Sequence, residues 1–485
     1  MRAFQRLRQA FSRNSSSTRS SSSQRASVAA SASVTAGLVA VPVVMASNYY
    51  AASVTKPQLG PDAVPEEALS RPHHVKKRNG TTASFKNIYP SAGTMYNTWT
   101  FYKGLYAAKM GGELDPPDTT PPTVTVRKPT FLPTRWSSPS LRATWLGHAC
   151  YYVEYPSGLR VLFDPVFEDR CSPLSWLGPA RYTPRPCDLA DLPFVDAVVI
   201  SHSHYDHLSH PTVNELAKRF PDAHFFVGLG LEKWFRSGGI KQVTEMDWWE
   251  TTDVTLTPKD SANPDNRKDS STPSSAKSTT SGPGLGEPIT ARIGCLPAQH
   301  SSGRTLTDKD CTLWCSWSVT SSSPSSPTPR SVWFGGDTGY RAVPKVARTR
   351  AEDGSLLPHD PEADWEPPYD TLPVCPQFEQ IGKLRGPFDL GLIPIGAYDP
   401  RWLFSHMHAN PYDAVEIFRD TRCNKAMGIH WGTWVLTSEE VLEPPRQLRM
   451  ALRRRGMEEE GVFDVCEIGE SREFYSSDLG RLDLV

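Results

Sequence analysis

Phe194-Val195-Asp196-Ala197-Val198-Val199-Ile200-Ser201-His202-Ser203-His204-Tyr205-Asp206-His207 is the stretch on which the fold and chemistry of this chain turn. Residues 194–200 have the length and the β-branched, apolar content of a buried strand. Three imidazoles and a carboxylate crowd the turn that follows. Neutral imidazole and carboxylate are the ligand types that suit Zn²⁺ and its first-row neighbours. Four such groups so close together are costly to pack for structure alone. Backbone alternation sends His202 and His204 to one side, and Asp206 and His207 to a neighbouring position, which suits two metals sharing one loop. A zinc finger would be built differently, from cysteines or Cys/His pairs at characteristic spacing. The plain alternative is a His-rich surface loop, which His210 keeps in view. Surface loops rarely follow a hydrophobic strand with this pattern.

A binuclear site needs further ligands, and the chain has only 13 histidines to offer. His300 follows an apolar run over residues 289–296. Asp337 ends Val332-Trp333-Phe334-Gly335-Gly336-Asp337. His430 ends Ala426-Met427-Gly428-Ile429-His430. Each is a ligand type placed where an apolar strand ends. Singly, each reads more readily as a structural histidine or a turn aspartate. Beside the first motif they complete a set of seven.

These residues resemble the metallo-β-lactamase superfamily: an HxHxDH signature, a later histidine, an aspartate after Phe-Gly-Gly and a final histidine. Other segments narrow the resemblance to the N-acyl-phosphatidylethanolamine-hydrolysing phospholipase D family. They include Trp145-Leu146-Gly147-His148-Ala149, Phe163-Asp164-Pro165-Val166-Phe167, Leu313-Trp314-Cys315-Ser316-Trp317 and Ile393-Pro394-Ile395-Gly396-Ala397-Tyr398-Asp399-Pro400-Arg401-Trp402. The resemblance runs from about residue 130 to about residue 457. It implies an α/β fold, the αβ/βα sandwich of two mixed sheets flanked by helices. The coarse pattern of strands mixed with helical runs at 212–220 and 229–236 is compatible with that fold. Periodicity alone does not choose it over other layered α/β folds.

Carried over position by position, the resemblance implies one zinc on His202, His204 and His300, another on Asp206, His207 and His430, and Asp337 bridging them. Iron or manganese would accept similar ligands. It implies a dizinc phosphodiesterase of phospholipase D type, cleaving N-acyl-phosphatidylethanolamine into N-acylethanolamine and phosphatidic acid. Asp206 and Asp337 then count as catalytic through the metals. His408, in Met407-His408-Ala409-Asn410-Pro411, resembles an active-site histidine outside the ligand set; a plain histidine at a helix N-terminus fits the same residues. Arg304 is expected to gate or anchor the anionic substrate, or else to sit in a surface ion pair. Tyr398 and Arg401 are weaker substrate-binding expectations. His148 is expected to orient ligands or fill the core. Two places depart from the family. The loop 172–179 lacks the family's polar pair, and Ser301-Ser302-Gly303 replaces bulkier residues. The alternatives in function are another hydrolase of the superfamily (a lactonase, thioesterase or nuclease) or a non-catalytic lipid-binding protein.

The 485 residues carry a formal net charge of −1, so there is no global basic field of the kind nucleic-acid binding shows. The expected partner is a phospholipid in a membrane surface, with a homodimer admitted. Among the 14 tryptophans, Trp248, Trp249, Trp314, Trp317, Trp431 and Trp434 read mostly as core, with some at a membrane interface. Nine scattered cysteines favour reduced thiols over a disulfide scaffold, the Cys311/Cys315 pair included.

Residues 1–56 read as a targeting or disordered segment. Arg2, Arg6, Arg8, Arg13, Arg19 and Arg25 stand among serines, with no acid before Asp62, the composition of a mitochondrial leader. The apolar stretch 34–46 is shorter than the ~20 residues of a confident span. It reads as a weak inner-membrane anchor or part of the leader, with another intracellular membrane as the alternative location. Residues 57–129 read as a Pro-rich linker with a better-ordered, helical part near 87–110. Residues 130–485 read as the catalytic domain, with disordered inserts near 259–288, 321–329 and 350–372.

Overall fold

The computed structural model describes residues 50–475, apart from 61–62, 94–97, 136–138, 260–286, 346–349, 353–355 and 358–359. Residues 1–49 of the N-terminal segment, the apolar stretch 34–46 among them, and nearly all of the insert 259–288 lie outside the described residues.

Two sheets stack face to face. In the first, Arg160–Phe163, Ala197–Val199, His224–Gly228 and Val243–Met246 run parallel. Cys150–Glu154, Leu141–Gly147 and Ser471–Phe474 extend it antiparallel. The pleat divides each strand between two cores. Val161, Phe163, Ala197, Val199 and Phe226 point to the second sheet. Leu162, Val198, Ile200, Phe225 and Val227 point the other way, onto helices His210–Arg219 and Glu232–Ser237. Strands apolar on both faces are what a covered parallel sheet requires.

The second sheet runs antiparallel through Tyr50–Val54, Glu250–Pro258, Ile289–Leu296, Ser316–Ser323 and Ser326–Phe334. It then turns parallel through Phe388–Pro394, Cys423–Ile429 and Phe463–Asp464. Helices Gln377–Leu384, Pro411–Asp420 and Glu443–Arg454 pack against it through Phe378, Ile381, Val415, Phe418, Leu448 and Leu452. The result is the αβ/βα sandwich. All six tryptophans read as core are buried; Trp99 and Trp176 are exposed. All nine cysteines are free.

Four segments differ from expectation. Residues 57–129, read as a linker, carry strand Gln58–Leu59 on the edge of Glu250–Pro258 and the hairpin of His74–Lys76 and Thr82–Phe85, with His73 buried against Asp247 at 2.7 Å. Tyr50–Val54, assigned to the leader, pairs along Glu250–Pro258 and supplies the backbone partners that edge needs. Residues 321–329, assigned to a disordered insert, lie in the hairpin of Ser316–Ser323 and Ser326–Phe334. There the Ser321 hydroxyl donates to the Thr290 carbonyl at 2.8 Å and pairs with Ser157 at 2.7 Å. Pro327 and Pro329 precede Val332, where pairing to Phe388–Pro394 begins, so neither removes a donor from that ladder. Within 350–372, the 3₁₀ turn Pro361–Trp365 is docked on the body. Its Asp364 is buried against Arg401, and its Trp365 ring lies 3.5 Å beneath the Arg341 guanidinium. The helix expected near 87–110 is present as Thr98–Met110.

Candidate metal centre

The seven expected ligands all follow the carboxyl ends of strands, on one rim of the sandwich. His202, His204, Asp206 and His207 follow Ala197–Val199, held between the strand and helix His210–Arg219, which Ser209 caps. His300 follows Ile289–Leu296, Asp337 follows Ser326–Phe334, and His430 follows Cys423–Ile429 directly. Gly336, at φ +58°, lets the Asp337 loop press on the His202 loop. A Cβ there would sit 2.5 Å from the Ser201 Cβ. His148, Asp164 and His430 also hold left-handed backbone, at φ 51°, 37° and 64°. For residues with a Cβ this costs roughly 1–2 kcal/mol each, strain of the kind that gathers at working sites.

The side chains converge as two groups. His202 Nε2, His204 Nδ1 and His300 Nε2 stand 2.8, 3.2 and 3.3 Å apart. A tetrahedral ion with bonds of about 2.0–2.1 Å has ligand–ligand edges of about 3.3 Å. In the second group, Asp206 Oδ2 lies 3.3 Å from His207 Nε2 and 3.4 Å from His430 Nε2. Asp337 Oδ2 lies 3.1 and 2.9 Å from the same two nitrogens. It is also 3.7 Å from His300 Nε2 and 3.9 Å from His202 Nε2, between the two groups.

The remote ring nitrogens of His207, His300 and His202 are each supported, and His430 Nδ1 faces the Gly396 carbonyl at 3.4 Å. His207 Nδ1 donates to Asp164 at 2.6 Å, and His300 Nδ1 donates to the Met407 carbonyl at 2.9 Å. His202 Nδ1 donates to the Ser201 hydroxyl at 2.9 Å, which in turn donates to Asp164 at 2.5 Å. The site-facing nitrogens therefore keep their lone pairs. His207 Nε2 and Asp337 Oδ1 are buried without a hydrogen-bond partner. Buried polar atoms are seldom left so unless something else binds there.

The charges fit as well. Burial, then the neighbouring imidazoles, hold His202 well below the usual histidine range. Burial also lowers His204 and His300. These rings are neutral, as ligands must be. Burial likewise opposes charge on His430, but Asp337 and Asp206 outweigh it and hold the pKa up at about 9. His207 is raised in the same way, against burial, by Asp337, Asp206 and Asp164. The two carboxylates thus demand positive charge in the second group, which protons meet when no metal does. The residues fit a divalent metal pair.

His148 sits beside this group, its Nε2 3.1 Å from Asp206 Oδ2; it orients a ligand, as expected. His408 closes the other side, with Nδ1 3.8 Å from Asp337 Oδ2 and unpartnered. It lines a cavity of about 450 Å³ with His204, Phe101, Tyr102, Leu306, Phe404 and Met407.

Of the expected substrate contacts, Tyr398 and Arg401 are engaged elsewhere, while Arg304 lines the cavity with its Nη1 turned to the backbone. The Tyr398 phenol donates to Glu443 at 2.8 Å, toward helix Glu443–Arg454. Arg401 is buried between Asp364 and Asp413, at 2.7 and 2.6 Å, and donates to the His408 carbonyl at 3.3 Å. Arg304 donates to two carbonyls of the ligand loop. In each case a long side chain meets partners remote in sequence. Asp164 is the functional residue not singled out before. Its signal was present: an acid directly after the strand Arg160–Phe163.

Sandwich and site together define a metallo-hydrolase. The profile of the "Beta-lactamase superfamily domain" matches residues 159–360 and 370–431, over half the chain, and the chain belongs to that superfamily. Within it, the chain is 34% identical over 340 residues to the Caenorhabditis elegans N-acyl-phosphatidylethanolamine-hydrolyzing phospholipase D 1, covering 69% of this chain and 76% of that protein. It is 29% identical over 308 residues to the mitochondrial protein of that name from Saccharomyces cerevisiae, covering 63% of this chain but only 51% of the yeast protein. An uncharacterized Mycobacterium tuberculosis protein is 34% identical over 322 residues, covering 65% of each chain. The family resemblance read from the sequence therefore holds, and the chain is a divalent-metal hydrolase.

Proposed function

We propose that this chain is a dizinc phosphodiesterase of phospholipase D type. Its substrate is N-acyl-phosphatidylethanolamine at a membrane surface, and its products are N-acylethanolamine and phosphatidic acid. The observation that carries the reading is the placement of Asp337 between two complete ligand groups, in a chain similar to named enzymes of that activity.

His202, His204 and His300 would hold one zinc, Asp206, His207 and His430 the other, and Asp337 both. A zinc pair supplies a water activated near neutral pH and stabilisation of charge on the phosphoryl oxygens. The protein's own groups prepare the rest. Asp164, Ser201 and the Met407 carbonyl fix the tautomers of His207, His202 and His300. Burial holds His408 down at about 3, so it faces the site as a neutral imidazole. Its free Nδ1 suits a hydrogen bond to a phosphate oxygen or to the acyl amide. The walls formed by Phe101, Tyr102, Leu306, Phe404 and Met407 suit an acyl chain. The bond broken joins phosphorus to the ethanolamine oxygen, and the proton of the attacking water ends on that oxygen.

The membrane part of the reading is supported by the apolar side chains exposed around this cavity. Among the described residues no helix is long and apolar enough to cross a membrane. A mitochondrial location is supported by the leader composition and by the name of the yeast relative.

The test uses the full chain. Zinc is quantified, and N-acylethanolamine release from vesicles containing N-acyl-phosphatidylethanolamine is followed, beside His202→Ala and Asp337→Asn. Two zincs per chain, with turnover abolished in both variants, is the expected result. Two zincs without lipid turnover would discard the substrate and keep the site.

A further inference from the structure

Arg304 stands four residues beyond the ligand His300, where an anionic substrate would find a cation. Its Nη1 is committed inward instead. It donates to the Ser203 carbonyl at 2.8 Å and to the Leu208 carbonyl at 2.7 Å. Those two carbonyls bracket His204, Asp206 and His207. The guanidinium also lies over the Tyr205 ring, 4.0 Å from its centroid, with the Trp234 ring at 5.5 Å.

The contacts are returned from the other loop. The Tyr205 hydroxyl donates to the Arg304 carbonyl at 3.2 Å, and the Gly303 amide donates to the Ser203 hydroxyl at 3.1 Å. Asp308 holds the Arg304 amide at 3.0 Å and the Thr305 amide at 2.7 Å, which closes the loop on itself. Two loops that supply five of the seven proposed ligands are thereby fastened together, with the Arg304 guanidinium making the two shortest of these contacts between them. A planar cation with several donors and a stacking face is suited to this task in a way a lysine is not.

We infer that Arg304 is a positioning residue: it clamps the His202–His207 loop to the His300 loop and so presets the zinc ligands. This rests on the proposed zinc site and, for one arm of the test, on the proposed phospholipid substrate. Outer groups that orient ligands change metal affinity even where they touch no metal. A substrate anchor would leave metal affinity alone and change KM.

The test takes the full chain as parent, Arg304→Ala, Arg304→Lys and Tyr205→Leu. Four quantities are read: zinc affinity by competition with a chromogenic chelator, the absorption spectrum of the Co²⁺-loaded chain, thermal unfolding of the metal-free chain, and KM and kcat on vesicles at saturating zinc. Arg304→Ala is expected to lose about 10–100-fold in zinc affinity, with an altered Co²⁺ spectrum, parental metal-free unfolding and parental KM. Arg304→Lys, which can still reach the carbonyls but cannot stack, is expected to fall between. Zinc affinity of Arg304→Ala within about twofold of the parent overturns the clamp; a raised KM beside it makes Arg304 a substrate anchor. If Arg304→Ala does not fold, Tyr205→Leu, which removes the ring under the guanidinium and the hydroxyl's bond to the Arg304 carbonyl but keeps the arginine, is expected to weaken zinc, and parental affinity there overturns the clamp equally. Absence of lipid turnover in the parent would fail the substrate reading and leave the zinc measurements standing.

Discussion

Asp164 belongs to neither ligand group, yet two ligands lean on it. One of its oxygens accepts from both His207 and the Ser201 hydroxyl that supports His202, and the other accepts the Ser201 amide at 2.7 Å. Burial raises its pKa, against the pull of the His207 ring. Asp164→Asn keeps the size but must turn an NH₂ toward donors that need an acceptor. The expected result is a loss of about 10–100-fold in metal affinity, read by chelator competition; unchanged affinity would remove Asp164 from the support of the site. The seven proposed ligands were legible because imidazole and carboxylate are chemically distinctive at strand ends. The inward partners of Arg304 and the Asp364 partner of Arg401 were not legible because they lie far off in sequence. The Leu208 carbonyl is 96 residues from Arg304, and nothing local to either arginine encodes that meeting.

At the scale of elements, apolar runs with β-branched residues were legible as strands, since burial on both faces leaves no room for polar alternation. Composition failed where small polar residues do the packing. Ser321 sits inside the sheet because its hydroxyl pairs there, and a serine-rich stretch reads the same whether its hydroxyls meet water or each other. Helix Pro411–Asp420 is well started: Asn410 accepts the Asp413 amide, and Asp413 answers the Asn410 amide. Its end is less favourable. Asp420 places a carboxylate at the negative end of the helix dipole. Burial pushes its pKa from 3.8 to about 6, although the Tyr340 hydroxyl donates to it at 2.8 Å. A carboxyl whose pKa is raised by folding binds more protons folded than unfolded between those two values. It therefore favours the fold at low pH, and that contribution is lost as pH rises through about 6. Asp420→Asn keeps an acceptor for Tyr340 without the charge. It is expected to stabilise the chain at pH 7 by at most about 3 kcal/mol and to give little at pH 4. Urea unfolding at the two pH values checks this; equal effects at both would refute the titration account.

The whole molecule has almost no net charge to draw it to an anionic surface, so for the proposed lipid contact the exposed apolar side chains of the described residues are the feature to test. Helix Thr98–Met110 carries them in one stripe: Trp99, Tyr102, Tyr106 and Met110 are exposed at 69, 51, 70 and 70%. Residues spaced three and four apart share a helix face, and the opposite face packs Phe101, Leu105 and Ala108 on Leu403, Phe404 and Met407. Tyr102 and Leu306 also wall the cavity that holds His408, so the stripe begins at the mouth of the metal centre. Aromatic rings with polar edges suit the headgroup level of a bilayer. The proposed reaction needs that geometry, because a phospholipid must leave its neighbours to reach the metals. A full chain carrying Trp99→Ser, Tyr106→Ser and Met110→Ser is therefore expected to sediment with phosphatidylcholine vesicles at least about 10-fold more weakly than the parent. Its turnover of vesicle-borne substrate should fall in step, while turnover of the same substrate dispersed in detergent holds. Because apolar contact carries the binding, added salt should weaken the parent little. Parental sedimentation and parental vesicle turnover in the triple variant would leave the stripe without a membrane role and move the search to another face.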